Sequence, residues 1–239
     1  MSIKGIFFDL GGTLFSYQNV AITNIPLLVE SAKKMGADHD EKAIKKAYAI
    51  ASAQITEIYA DKKFYLHRDL FGDIYTRFVE ILELNHDEET HAWYRARQQS
   101  EIVNCLEIKD DCVATLESLR DRGLYLSIAS NIDDAMLDPL VERESLSPLF
   151  DHCVSSEMAQ ACKPHTEFFA YCVRQSGLDP SEVLFVGDSP EHDIVGANEA
   201  GMKTVLISDN GNPPPMQTGR ASVEADHEVQ SLNELLDIV

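Results

Sequence analysis

Short apolar runs that end abruptly on polar or glycine residues recur along this chain. Ile6-Phe7-Phe8 stops at Asp9, Leu124 to Ala129 stops at Ser130-Asn131, and Val183 to Val186 stops at Gly187-Asp188. Runs this short, bounded by turn residues, read as buried strands. Cys153 to Ser155 and Thr204 to Ile207 are expected to be two more. Between them lie helical patterns: from about Asp110 to Arg122 before Gly123, from about Asp133 to Glu144, from Lys163-Pro164 to Ser176-Gly177, and from near Ile194 to Ala200 before Gly201. Strand and helix units joined by short links imply an α/β fold with a parallel sheet and right-handed crossovers. Ligands of such sheets bind outside the carboxyl ends of the strands, which makes the polar residues there candidates for chemistry.

The stretch from about Tyr17 to about Asn104 contains no convincing strand and reads as four helices. Asn24-Ile25-Pro26 suits a cap with an early proline, and Gly36 suits a stop. A second helix follows Asp40, with Ile44, Ala47, Ala51 and Ile55 on one stripe. A third carries Leu70, Phe71, Ile74, Phe78, Ile81 and Leu82, and a fourth runs from about Asp87 through Trp93. These stripes are helix-packing surfaces. Near the C-terminus, Gly211 to Gly219, with Pro213-Pro214-Pro215, reads as a loop, and Ser231-Leu232-Asn233-Glu234 has capping-box spacing for a last short helix.

Composition narrows the function. A formal charge of −20, without a long acidic block, argues against partners that need clustered Lys and Arg, so neither nucleic acid nor an acidic membrane surface is expected. The five cysteines (Cys105, Cys112, Cys153, Cys162, Cys172) form no C-x-x-C pair and suit reduced thiols in a cytoplasmic setting. No signal peptide and no apolar run of about 18 residues is seen, so a cytoplasmic protein is expected.

The strand ends offer complementary chemistry. Asp9 and Asp188, with backbone and water oxygens, supply what a small hard cation such as Mg²⁺ requires. Lys163 and the Ser130 hydroxyl are donors suited to phosphoryl oxygens, and an aspartate beside them can act as nucleophile through an acyl-phosphate. Thr13 could add a hydroxyl. Taken singly, Ser130, Asn131 and Asp133 equally suit the cap of the next helix, Lys163 suits solvent, and Asp188 and Asp193 suit a turn and a helix start.

The order of these residues resembles the haloacid dehalogenase-like (HAD) hydrolase superfamily. The resemblance rests on Phe8-Asp9-Leu10-Gly11-Gly12-Thr13-Leu14, Ala129-Ser130-Asn131, Lys163-Pro164, and Gly187-Asp188-Ser189-Pro190-Glu191-His192-Asp193 followed by Gly196-Ala197 and Ala200-Gly201. It implies a Rossmann-like core over residues 1–15 and 105–239, with residues 16–104 as an inserted all-helical cap domain. It further implies Asp9 as nucleophile, Ser130, Asn131, Thr13 and Lys163 around the phosphoryl group, and Asp9, Asp188 and the Gly11 carbonyl, assisted by Asp193, at Mg²⁺. The expected activity is Mg²⁺-dependent hydrolysis of a small phosphorylated metabolite by a monomer or homodimer.

One position departs from the pattern. Phosphatases of this superfamily usually carry a second aspartate two residues after the nucleophile, where this chain has Gly11. That side chain protonates the leaving group and then activates water, work worth about 10²–10⁴ in rate. His192, Glu191, His165, His67 and Arg68 are candidates to replace it, and Gly11→Asp is expected to raise turnover. Two further functions stay open: a haloacid dehalogenase, whose relatives do without metal, and a turnover-deficient phospho-ligand sensor.

Overall fold

The computed structural model describes residues 2–208, 214–220 and 223–239. In chain order the strands are β1 (Gly5–Phe8), β2 (Phe15–Ser16), β3 (Glu107–Ile108), β4 (Tyr125–Ser130), β5 (His152–Ser155), β6 (Val183–Gly187), β7 (Lys203–Ile207) and β8 (His227–Val229). The α-helices are α1 (Val20–Lys34), α2 (Glu41–Tyr59), α3 (His67–Ile81), α4 (Glu88–Cys105), α5 (Cys112–Asp121), α6 (Asp134–Arg143), α7 (Ser156–Ala159), α8 (Thr166–Ser176) and α9 (Val195–Glu199).

Six strands form one sheet in the order β5-β4-β1-β6-β7-β8, and every pairing is parallel. The two-residue period of β1 places Ile6 and Phe8 in the core on one side of the sheet, with Leu116, Leu119 and Leu140. Phe7 packs on the other side with Phe168, Phe169 and Ala197. The all-apolar run Ile6-Phe7-Phe8 is therefore a strand covered on both faces, the expected pattern for a parallel sheet. The strand order reverses at β1, with β4 on one side and β6 on the other, so Asp9 emerges at the point where a crevice opens.

Helices α1 to α4 share a separate apolar cluster that includes Leu28, Ile44, Leu70, Ile74, Phe78 and Tyr94. Asp40 caps α2 by accepting a hydrogen bond from the Ala43 amide at 2.7 Å, and Gly36 (φ +81°) follows α1, as the sequence suggests. α1 starts earlier than expected, at Val20, and Pro26 lies inside it. Asn24 is turned inward, where it accepts a hydrogen bond from the Tyr94 hydroxyl at 2.9 Å instead of capping. The carbonyl that Pro26 leaves without an N–H belongs to Ile22, which is 73% exposed and open to water. α4 runs on to Cys105, well past Trp93; only Thr90, His91 and Tyr94 are buried along it, so the apolar stripe fades before the helix does.

Other elements escaped the periodicity. β2 pairs antiparallel with β3, Phe15 opposite Ile108, and ties the departing chain to the returning one beside the limits expected for the insert. β8 is a short edge strand beside β7. The last element is a 3₁₀ helix, Leu232–Asp237, in which Ser231 Oγ donates to Glu234 instead of accepting from an amide. Of the expected Gly211 to Gly219 loop, 211–213 lie outside the described residues, and 214–219 contain no helix or strand.

Candidate active site

Three carboxylates and one ammonium converge at the carboxyl ends of β1, β4 and β6. Asp9 follows β1, its amide donates to the Val186 carbonyl at 2.9 Å, and only 6% of it is exposed. Its Oδ1 accepts hydrogen bonds from Ser130 Oγ at 2.8 Å and from Lys163 Nζ at 2.6 Å. Lys163 Nζ also donates to the Ala129 carbonyl at 3.1 Å and lies 2.6 Å from Asp193 Oδ1. Lys163 is 2% exposed, far from the solvated lysine that residue type alone would suggest.

Each side chain is set by its local backbone. Asn131 clamps the Lys163 main chain: its Oδ1 accepts from the Lys163 amide at 2.7 Å and its Nδ2 donates to the Lys163 carbonyl at 3.0 Å. The amide expected to touch substrate therefore holds the lysine in place. After β6 the chain makes a five-residue π turn, Pro190–Ile194, a form that recurs at functional sites. This turn brings Asp193 back under the strand end, where its Oδ2 accepts from the Ser189 amide at 3.0 Å. Thr13 is fully buried, and its hydroxyl has no hydrogen-bond partner among the described residues.

Asp188 is offset in part by the charges of Lys163 and Lys109. It is 7% exposed, and its Oδ2 has no hydrogen-bond partner among the described residues. Burial, together with the negative charges of Asp9 and Asp193, holds its pKa well above the ordinary carboxylate range. Asp193 is also raised, chiefly by burial, with the Lys163 charge opposing. For Lys163, burial alone would lower the pKa, but Asp193 and Asp9 outweigh it and raise it. Asp9, Asp188 and Asp193 each present an oxygen within 4.8 Å of the others, a set of hard donors suited to a divalent cation. Gly12 (φ +75°) leaves the necessary room, because a Cβ there would stand 2.0 Å from Asp188 Oδ2. Beside Asp188, a cleft of ≈ 250 Å³ opens between the ends of β7 and β8, lined by Pro190, Leu206, Ser208, Glu228 and Gln230.

None of the residues considered as replacements for the missing acid is the nearest neighbour of Gly11. Glu191 accepts from the amide and hydroxyl of Thr218, and a ring nitrogen of His192 is 3.1 Å from the Met216 carbonyl. His165 precedes α8, His67 lies between Tyr65 and Phe71, and Arg68 pairs with Glu157. The three atoms closest to where a Gly11 side chain would begin all belong to Tyr17, its hydroxyl oxygen foremost. Sequence reasoning missed this residue because a tyrosine in a connecting segment carries no motif.

A family model for haloacid dehalogenase-like hydrolases matches residues 3–201. The chain is a haloacid dehalogenase-like hydrolase. It is 26% identical over 245 residues to ribulose-1,5-bisphosphate 5-phosphatase of Halopiger xanaduensis, covering 98% of both chains. It is 29% identical over 238 residues to glyceraldehyde 3-phosphate phosphatase of Methanocaldococcus jannaschii, covering 99% of this HAD chain and 97% of the other. The crystal structure of an L-2-haloacid dehalogenase superposes with a TM-score of 0.75 at 25% identity, covering 100% of this chain and 99% of that one. The α/β Rossmann-like core expected from the sequence is thus the core observed. Among the described residues, no helix is long and apolar enough to cross a membrane.

Proposed function

We propose that this HAD hydrolase is a Mg²⁺-dependent phosphatase of a small phosphorylated metabolite, working through an aspartyl-phosphate on Asp9. The observation that carries this reading is the buried trio Asp9, Asp188 and Asp193, whose oxygens lie within 4.8 Å of one another, with Asp188 Oδ2 lacking a hydrogen-bond partner among the described residues. Asp9, Asp188 and the Gly11 carbonyl, with Asp193 behind them, would hold Mg²⁺. When bound, the ion neutralises charge on the phosphoryl oxygens and favours their approach to a carboxylate.

The chain's own residues do the rest. Ser130 and Lys163 already meet Asp9 Oδ1, so each can turn a donor to a phosphoryl oxygen as Asp9 attacks phosphorus. Thr13 offers the loop a further donor. Asn131 keeps Lys163 from drifting. In this reading residues 16–104 are a cap that covers the site and selects the substrate. The segment between α2 and α3 is one of its contacts with the core: the Lys63 carbonyl accepts from the Cys162 amide at 2.8 Å, next to Lys163.

The test is phosphate release from ribulose 1,5-bisphosphate, glyceraldehyde 3-phosphate and phosphoglycolate, with Mg²⁺ or with chelator. Release that needs Mg²⁺ and vanishes in Asp9→Asn is expected. Release undiminished in Asp9→Asn, or halide release from 2-haloacids that ignores chelator, would overturn the reading.

A further inference from the structure

We propose that the Tyr17 hydroxyl is the proton donor to the leaving group, standing in the volume that an acid side chain at position 11 would fill. This assignment rests on the phosphatase reading.

Position 11 lies two residues past the reacting carboxylate, in the bend and turn that follow β1. A Cβ built on Gly11 would lie 2.3 Å from the Tyr17 hydroxyl oxygen, 2.6 Å from Cζ and 2.8 Å from Cε1. One built on Gly12 would lie 2.9 Å from Tyr17 Cε2 and 2.0 Å from Asp188 Oδ2. The phenol ring thus covers both glycines, with its oxygen over Gly11 and one edge on the side of Asp188. Gly11 does not have a positive φ, so its backbone does not demand glycine. The tyrosine does, because only a residue without a side chain leaves space for the ring.

Tyr17 is also held firmly. It follows β2 directly, and its ring packs against the main core cluster, so the hydroxyl is presented from a fixed base. As Asp9 attacks phosphorus, the bond from phosphorus to the ester oxygen breaks and the phenolic proton passes to that oxygen, releasing the alcohol. Water then attacks the aspartyl-phosphate and gives its proton to the phenolate. The bond from Asp9 to phosphorus breaks, phosphate leaves, and both Asp9 and Tyr17 return to their starting forms. A phenol is a weaker acid than the carboxylic acid it replaces, so the hydroxyl matters most when the leaving alkoxide is strongly basic.

Leaving-group dependence tests the assignment. Tyr17→Phe keeps the ring and removes only the oxygen. Native protein, Tyr17→Phe and Asp9→Asn would be compared on p-nitrophenyl phosphate and on whichever of the three alkyl phosphates above the native protein hydrolyses fastest. Tyr17→Phe should lose about 10²-fold or more in kcat on the alkyl ester and less than about 10-fold on the p-nitrophenyl ester, whose leaving group needs no proton. Beryllofluoride, which reports the Asp9 site, should bind it as it binds native protein. Equal rates for Tyr17→Phe and native protein on the alkyl ester, or an equal loss on both esters, would overturn the assignment. So would a faster Tyr17→Ala, which would make the ring an obstruction. If Asp9→Asn is inactive while Tyr17→Phe matches native protein, the assignment falls alone; if Asp9→Asn matches native protein, the phosphatase reading falls and takes it along.

Discussion

Lys163 Nζ lies 2.6 Å from Asp9 Oδ1 and an equal 2.6 Å from Asp193 Oδ1, so one buried ammonium is shared by carboxylates that follow β1 and β6. Removing it takes away the ammonium that meets two of three clustered, buried carboxylates. Lys163→Met should therefore fail twice. The phosphoryl group loses a charged donor, at a cost of about 10²–10³ in kcat. The carboxylates repel one another, so beryllofluoride binding should weaken too. Steady-state rates and beryllofluoride titration check both effects, and retention of either would separate Lys163 from the chemistry.

Asp188→Asn should stabilise the metal-free protein. In the unfolded chain Asp188 ionises near about 3.9, whereas burial and its acidic neighbours let the folded protein keep the proton to higher pH. For an acid whose folded value is raised, stability is fully present at acid pH and is lost as pH rises through the folded value. Metal-free native protein should thus lose stability as pH rises from about 3.9 toward the raised folded value, and Asp188→Asn should lose less. Each kcal/mol recovered corresponds to about 2–4 °C in Tm for a chain of this size. Mg²⁺ should raise the Tm of native protein and leave that of Asp188→Asn nearly unchanged. Melting curves with chelator and with Mg²⁺ measure this; a variant that melts lower than native protein in chelator would refute it.

The gathering of polar side chains at the strand ends was legible because it sits on strong local signals. Ile6-Phe7-Phe8 before Asp9, and Val183 to Val186 before Gly187-Asp188, are short apolar runs bounded by turn residues, the pattern of a buried strand, and the carboxylates follow at the strand ends. Pairings between distant segments were not legible. Phe15–Ser16 with Glu107–Ile108 is two residues per strand, too short for any period to register. Asn24 looked like a cap because side-chain type alone cannot show that Tyr94, 70 residues away, claims it. Tyr17 was hidden for the same reason: its role comes from the space above Gly11 and Gly12, not from its neighbours in sequence.

Asp133 illustrates the point and carries its own prediction. It precedes α6 and looks like the cap of that helix, yet its side chain makes no capping bond there. Instead its two oxygens accept from the first amides of α3, His67 at 2.7 Å and Arg68 at 2.8 Å, joining the core to the helical insert. Burial alone would raise its pKa, but the His67 ring and those amides outweigh it and lower it. For an acid so depressed, the stability is present above the unfolded value and lost as pH falls through the folded one. Asp133→Ala should cost about 1.5–3 kcal/mol at neutral pH, the range for hydrogen bonds to a charged group. The difference from native protein should shrink at about pH 2. Urea unfolding at the two pH values checks it, and a difference independent of pH would contradict it.

An aspartate at position 11 is expected from the sequence to raise turnover, and the crowding there argues for a different outcome. A Cβ at Gly11 would stand 2.3 Å from the Tyr17 hydroxyl, so the new side chain and the ring compete for one volume. The ring is partly buried against the core cluster, which limits how far it can retreat. Gly11→Asp alone should destabilise the protein by about 1–3 kcal/mol, the usual cost of overpacking, and should not raise kcat. Combined with Tyr17→Ala, which clears the space, the same aspartate should be tolerated. The double variant should then be more stable than the sum of the two single effects by at least about 1 kcal/mol, as expected for residues in contact. Urea unfolding of the four proteins closes the cycle. Additive effects, or a Gly11→Asp single variant that is faster than native protein, would show that the ring and position 11 do not share that space.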